Sequence, residues 1–239
     1  RLSKTSDYGS GCSVDGNLII AASIFDKLVA QLQKEGGHLA TPEQKEMLRK
    51  AMWDGERHRT VETVAIAPQA LAKIAGFEIP ADRKFIMVHG DGIGKEHHFS
   101  GEKLTTLLEL YRYESFDQAL AMMRGVYEVG GKGHSCGIYS FDPDHVHRLA
   151  MAAPVSRIMV RQPQSKANAG AFNNGMPMTS SLGCGTWGGN IISENVHLKH
   201  YMNTTWVSVP IKEDKPSDEE LFGPFYDPAL EAETETITT

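Results

Sequence analysis

Apolar residues along the chain come in short solid runs that alternate with stripes at helical spacing. Asn17–Ala22 (NLIIAA) is a solid run of strand length. In the following SIFDKLVAQLQKEGG, Ile24, Leu28 and Leu32 share one helical face, and Gly36-Gly37 is the stop. Thr41-Pro42 opens a second helix with a hydroxyl cap, a proline in the first turn and Glu43 close behind. Val61–Ile66 predicts a weak strand, Pro68–Ala75 a short helix ended by Gly76, and Lys84–Gly90 (KFIMVHG) a strand running into a glycine loop. Leu107–Tyr113 predicts a strand, although EKLTTLLELYRY also fits helical spacing. Phe116, Ala119, Leu120, Met123 and Tyr127 form a clear helical stripe behind Ser115 as its cap. Strand Ser135–Ser140, helix Asp142–Ala153 and strand Arg157–Arg161 complete the series.

This alternation predicts an α/β fold in three layers, a mostly parallel sheet with helices on both faces. Past Pro163 the pattern gives way to a long loop rich in Gly, Asn, Ser and Met, and such loops in compact α/β units usually serve function. Met202–Ile211 predicts one last strand with no nearby partner. No internal repeat is visible.

With 239 residues the chain can bury a full core. Its net charge of -6 is uneven: Lys212–Thr239 holds nine acidic residues and two lysines, so the remainder is close to neutral. That pattern gives a solvated acidic tail and argues against nucleic acid as a partner. Three widely spaced cysteines, Cys12, Cys136 and Cys184, suit neither a disulfide framework nor a zinc module, and predict reduced thiols in a cytoplasmic setting. No apolar run approaches the ~20 residues of a membrane span. The first residue is Arg rather than Met, as expected of a processed chain or a part of a longer one.

Several stretches carry possible chemistry. Cys12 lies in SKTSDYGSGCS, where a glycine-rich turn exposes backbone N–H groups of the kind that activate a thiolate. By spacing alone, a small cysteine at a loop corner is the commoner meaning. His134, in GGKGHSCGIY, follows a glycine turn at the start of a strand, where it is either an acid–base group or a hydrogen-bonded edge histidine. Cys136 alternates into the sheet. GDGIGKE at Gly90–Glu96 lacks both nucleotide-binding fingerprints and reads as a turn. His89, His97 and His98 have no carboxylate or thiol at ligand spacing, so no metal is expected. LGCGTWGGNIISENV, at Leu182–Val196, has four glycines around Trp187, either for close approach to a ligand or for irregular packing.

In order, SKTSDYGSGCS, GEKLTTLLELYR, GGKGHSCGIY, SRIMV and LGCGTWGGNIISENVHLKH resemble the catalytic half of the aldehyde dehydrogenase superfamily, in its CoA-acylating branch. The match runs from Ser3 to about Ile211. It implies a catalytic domain at residues 1–200 and an oligomerisation strand with an acidic tail at 201–239. The dinucleotide-binding domain, with the asparagine that shares the oxyanion with the Cys12 N–H, would lie upstream of this chain.

The resemblance further implies that Cys12 is the nucleophile, giving a thiohemiacetal and then a thioester, with NAD or NADP as hydride acceptor and coenzyme A as acyl acceptor. It makes Glu102 the cofactor-binding carboxylate on the nicotinamide ribose. It places His134 where the acyl group is transferred, to position or deprotonate the CoA thiol. The protein would be a homo-oligomer acting on a small aldehyde. The run from GGKGHSCGIY through SRIMVRQPQSKANAG to LGCGTWGGN is most similar to acylating sulfoacetaldehyde dehydrogenases, with acetaldehyde and succinate-semialdehyde enzymes as alternatives. Arg161 is then a substrate-binding candidate, because a guanidinium pairs bidentately with a sulfonate or carboxylate. A surface arginine paired to an acidic neighbour is the plain alternative. A fragment that serves assembly without catalysis is the competing class.

Overall fold

The computed structural model describes residues 1–231 and divides into two units, Arg1–Tyr201 and Met202–Thr239. The first unit is built on a four-stranded parallel sheet. Its strands are β1 (Asn17–Ala21), β2 (Gly37–Leu39), β3 (Phe85–His89) and β4 (Leu107–Tyr113), in the order β1-β4-β3-β2. A second parallel pair joins β5 (Cys136–Ile138) to β6 (Ile158–Val160).

Side-chain alternation along β3 explains the layers. Phe85 and Met87 point to one face and pack with Phe25, Val29 and Leu32 of helix α1 (Phe25–Lys34). Ile86 and Val88 point to the other and pack with α2 (Pro42–Met52) and α3 (Pro68–Ala75) through Leu48, Met52, Leu71 and Ala72. Helix α4 (Phe116–Gly130) and α5 (Pro143–Ala152) enclose a third core with Cys136 and Ile138. A short helix α6 (Gln164–Ala167) follows Pro163, inside the segment expected as loop. The expected parallel sheet with helices on both faces is therefore present.

The caps follow the sequence closely. Thr41 accepts from the Gln44 N–H while the Gln44 side chain returns to the Thr41 N–H, so Gln44 rather than Glu43 completes the capping box. Ser115 caps α4, and Gly76 closes α3 in the left-handed region.

Two elements differ from expectation. Val61–Ile66 is no strand: Val61–Thr63 is a 3-10 turn, pinned by Arg59 on Thr63 and by the Ala65 N–H on the Leu104 carbonyl. The Ala65 contact, with the Thr63 and Val64 N–H groups turned back on the Thr60 and Val61 carbonyls, takes the backbone donors a ladder would need. Conversely, Gly37 starts β2 instead of ending a helix. A Cβ there would come within 2.8 Å of the Met87 methyl and 2.9 Å of the Leu32 carbonyl, so the glycine allows β2 to lie close on β3.

In the second unit, Met202–Ile211 forms no strand among the described residues, which corrects the expected C-terminal strand. Trp206, Val207, Val209 and Ile211 are exposed along it. Ser217 caps a short helix, Asp218–Phe222, with Glu220 completing its capping box. The end of the expected acidic tail, residues 232–239, lies outside the described residues.

Candidate active site

The sheet's topology brings distant sequence blocks to one edge. Cys12 lies five residues before β1 and Glu102 five before β4, and β1 and β4 are parallel neighbours. His134 lies two residues before β5 and Arg157 one before β6, and these strands are likewise parallel. All four residues therefore sit at the amino ends of their strands.

Polar clasps hold these loops together. The Asn17 side chain donates to the Ser100 carbonyl at 3.0 Å and accepts from Lys103 Nζ at 2.7 Å. Gly9 packs so tightly on the loop before β4 that a Cβ would fall 2.4 Å from the Thr105 carbonyl oxygen. On the other side, the Gln164 amide donates to Asp15 at 2.7 Å, and the Ser165 N–H reaches Ser3 Oγ at 3.3 Å. The Cys12 loop is thus gripped between the β4 approach and α6.

The central contact joins Cys12 to His134. Sγ of Cys12 lies 3.1 Å from Nε2 of His134, and Nδ1 of the same ring lies 2.8 Å from Ser135 Oγ. With Nδ1–H donating to the serine, Nε2 is free to accept the thiol proton. Burial holds His134 below its ordinary pKa, and the positive charge of Arg157 adds to this. The ring is therefore neutral near pH 7, as a proton acceptor must be. Cys12 is exposed, and its backbone N–H has no acceptor among the described residues, which leaves it available to a developing oxyanion.

Cys12 and His134 line a cleft of about 260 Å³ together with Glu102, Lys4, Lys103 and several glycines. Glu102 is exposed, and its carboxylate has no hydrogen-bond partner among the described residues. A carboxylate with no hydrogen-bond partner, on a glycine-lined wall, fits a ribose diol, so the residues present suit the nucleotide expected there. Three of the four site residues expected from sequence are gathered in this cleft.

Arg161 is the exception. Its guanidinium donates to the Ser140 carbonyl at 2.8 Å and stacks over Phe141, and it does not line the cleft. It does open the segment whose Gln164 and Ser165 hold the Cys12 loop. Its backbone is left-handed, at φ 53°, an unusual conformation for a residue with a side chain.

Two buried cations in the cleft wall were not singled out by sequence. Lys4 is 2% exposed and has no hydrogen-bond or ion-pair partner among the described residues, and burial lowers its pKa to about 7. Lys103 is fully enclosed and donates to Asn17 and to the Gly101 carbonyl. Cys136 is buried, as expected, and burial pushes its thiol up to about 12, so it takes no part in thiol chemistry near neutral pH. Among the described residues no cluster of His, Cys, Asp or Glu is placed to hold a metal, and no helix is long and apolar enough to cross a membrane.

With this geometry established, similarity to known proteins is informative. No family model matches the chain. It is 37% identical over 227 residues to a sulfoacetaldehyde dehydrogenase of an Acholeplasma species, covering 93% of this chain and 47% of the relative. It is 35% identical over 228 residues to an acylating sulfoacetaldehyde dehydrogenase of Bilophila wadsworthia, covering 94% of this chain and 49% of the relative. In fold it is similar to an acetylating aldehyde dehydrogenase from Geobacillus thermoglucosidasius, with a TM-score of 0.84 and 32% identity, over 90% of this chain and 47% of that one. The chain spans about half the length of the curated relatives it matches. By sequence and by fold, the chain is similar to about half of each of these aldehyde dehydrogenases, two of which are named as acylating or acetylating enzymes.

Proposed function

We propose that this chain carries the thiol chemistry of a CoA-acylating aldehyde dehydrogenase, with Cys12 as nucleophile and His134 as its proton acceptor. The observation that carries the reading is the 3.1 Å contact between Cys12 and a neutral, partly buried His134, in a cleft that also holds Glu102. In the first step the thiol proton passes to His134 Nε2 as Sγ bonds to the aldehyde carbon, and the Cys12 N–H donates to the resulting oxygen. A bound NAD or NADP supplies the hydride acceptor, with Glu102 holding its ribose. Collapse of that oxyanion, with its hydride passing to the bound acceptor, would leave a thioester on Cys12, and His134 releases the thiol proton to solvent, which returns its ring to the neutral state. In the second half, His134 takes the proton of the incoming CoA thiol. The CoA sulfur attacks the thioester carbon, and Cys12 departs as the leaving thiolate.

The substrate we favour is a small anionic aldehyde, sulfoacetaldehyde, because the relatives at 37% and 35% identity are named for it. Arg161, at the head of the segment that grips the Cys12 loop, is the candidate for its sulfonate. Reaching the substrate would require its guanidinium to leave the Ser140 carbonyl. Acetaldehyde is the second reading, supported by the similarity to an acetylating enzyme. The exposed apolar residues between Trp206 and Ile211 suit contact with another subunit, in keeping with a homo-oligomer.

The test is turnover by the enzyme that contains this chain, with sulfoacetaldehyde or acetaldehyde, NAD+ or NADP+, and CoA. Formation of reduced cofactor that requires CoA supports the reading, and equal rates with and without CoA would refute it.

A further inference from the structure

Arg157 stands apart from the roles described above. It is 5% exposed, yet no carboxylate among the described residues pairs with it. Its Nη2 donates to the His134 carbonyl at 3.1 Å and its Nη1 to the Ser193 carbonyl at 3.4 Å, while its Nε is buried without a partner. Such a guanidinium is costly to bury unless it does something for its surroundings.

Those surroundings are the two segments that frame the nucleophile. The Gly133 N–H donates to the Pro154 carbonyl at 2.8 Å, and the Ser156 N–H donates to the Gly133 carbonyl at 2.9 Å. Across the turn, a Cβ on Gly133 would come within 2.7 Å of the Cys184 carbonyl oxygen and 2.8 Å of the Gly188 nitrogen. The Gly133–His134 turn is thus wedged between the approach to β6 and the Cys184–Gly188 loop. Arg157 ties the turn to Ser193, five residues past that loop, its guanidinium is hydrogen-bonded to Cys184, and its charge also acts on Cys12.

The geometry points to Arg157 as a positioning residue for the Cys12–His134 pair: it clamps the His134 backbone to the loop at Ser193 and sets a fixed positive charge behind the imidazole. The inference rests on the proposed roles of Cys12 and His134. A cation there disfavours a proton on the ring, so the ring stays available to the thiol. The other ionisable groups around His134 are Cys12 on the N-terminal loop, Cys184 on the glycine loop, Lys132 on its own turn, Tyr127 on α4, and Lys4, Lys103 and Glu102 in the cleft wall. Lys132 is paired with Glu128, and Arg157 is the charged group that contacts the His134 backbone directly.

The test follows the His134 ring by NMR in the histidine-labelled chain, assigned with His134→Gln, without substrate or cofactor. In Arg157→Gln the ring should titrate higher by at least about half a pH unit, because a nearby like charge has been removed. Arg157→Lys keeps the charge but loses the two-carbonyl clamp. It should keep the low titration while alkylation of Cys12, read by peptide mass, slows severalfold. A folded Arg157→Gln chain with an unmoved titration overturns the inference. Should that variant not fold, the wild-type chain decides. The Arg157 Nε–H resonance should shift across the His134 titration, and an unmoved resonance refutes the role. Absence of CoA-dependent turnover would remove the proposed reaction and leave these titrations unaffected, so the two failures are distinguishable.

Discussion

Cys12 and His134 are 122 positions apart in sequence, yet Sγ and Nε2 lie 3.1 Å apart in the fold. The pairing of β1 with β4 and of β5 with β6 sets up this contact, because each residue occupies a loop at the amino end of its strand. His134→Gln keeps a polar side chain of similar reach but cannot take up a proton. Turnover should fall about 100-fold or more near neutral pH, with the loss in kcat exceeding any change in KM. An unchanged kcat would leave His134 with a packing role only.

Gly133 sets where His134 stands. Its φ of +105° lies in the region that favours glycine, and an added Cβ would meet backbone atoms of Cys184 and Gly188 at 2.7 to 2.8 Å. Gly133→Ala should cost about 2–4 kcal/mol by urea unfolding and slow Cys12 alkylation as well. Gly131 also has a positive φ but meets no atom within 4 Å, so alanine there should cost less. Equal costs at the two sites would contradict the wedge at Gly133.

Lys4 gives a pH prediction. Burial holds its folded-state pKa at about 7, well below that of an exposed lysine. A base depressed in this way lowers stability most below pH 7, where it must be charged while buried. Between about pH 7 and 10 the unfolded chain binds the proton and the folded chain does not, so stability rises with pH from this group. Lys4→Met should therefore be more stable than wild type at pH 6.5, with the gap narrowing toward pH 10 in urea unfolding. A gap constant across that range would show that Lys4 does not titrate in the folded chain.

Arg161 tests the substrate. If it recognises the sulfonate, Arg161→Ala should raise KM for sulfoacetaldehyde about tenfold while leaving KM for acetaldehyde nearly unchanged. Equal effects on the two aldehydes would return Arg161 to its surface contacts with Ser140 and Phe141.

Much of this architecture was legible in the sequence because it depends on local pattern. Ser115, Thr41-Pro42 and Gly76 mark helix ends through backbone hydrogen bonding that any reading of caps detects. The apolar runs at β1, β3 and β4 are strands, as their composition predicts, with β3 and β4 almost wholly buried. Gly37 was misread because its need for close approach to Met87 and Leu32 is a tertiary fact. Met202–Ile211 has strand composition but forms no strand among the described residues, since composition does not supply a partner.

Within the site, Cys12, Glu102 and His134 were found through their ordered motifs, and spacing alone favoured a plain corner for Cys12. Lys4 and Lys103 gave no signal, because a buried lysine looks in sequence like an exposed one. Arg157 stands in SRIMV, a stretch that reads as strand, and its grip on two carbonyls depends on loops 23 and 36 positions away.

The central claim is that the acyl group is carried on Cys12. The enzyme that contains this chain can be incubated with sulfoacetaldehyde and oxidised cofactor but without CoA, then digested and weighed by mass spectrometry. The thioester mass is expected on the peptide bearing Cys12, discharged when CoA is added and missing from Cys12→Ser. An adduct on Cys184 instead, or steady CoA-dependent turnover by Cys12→Ser, would contradict it.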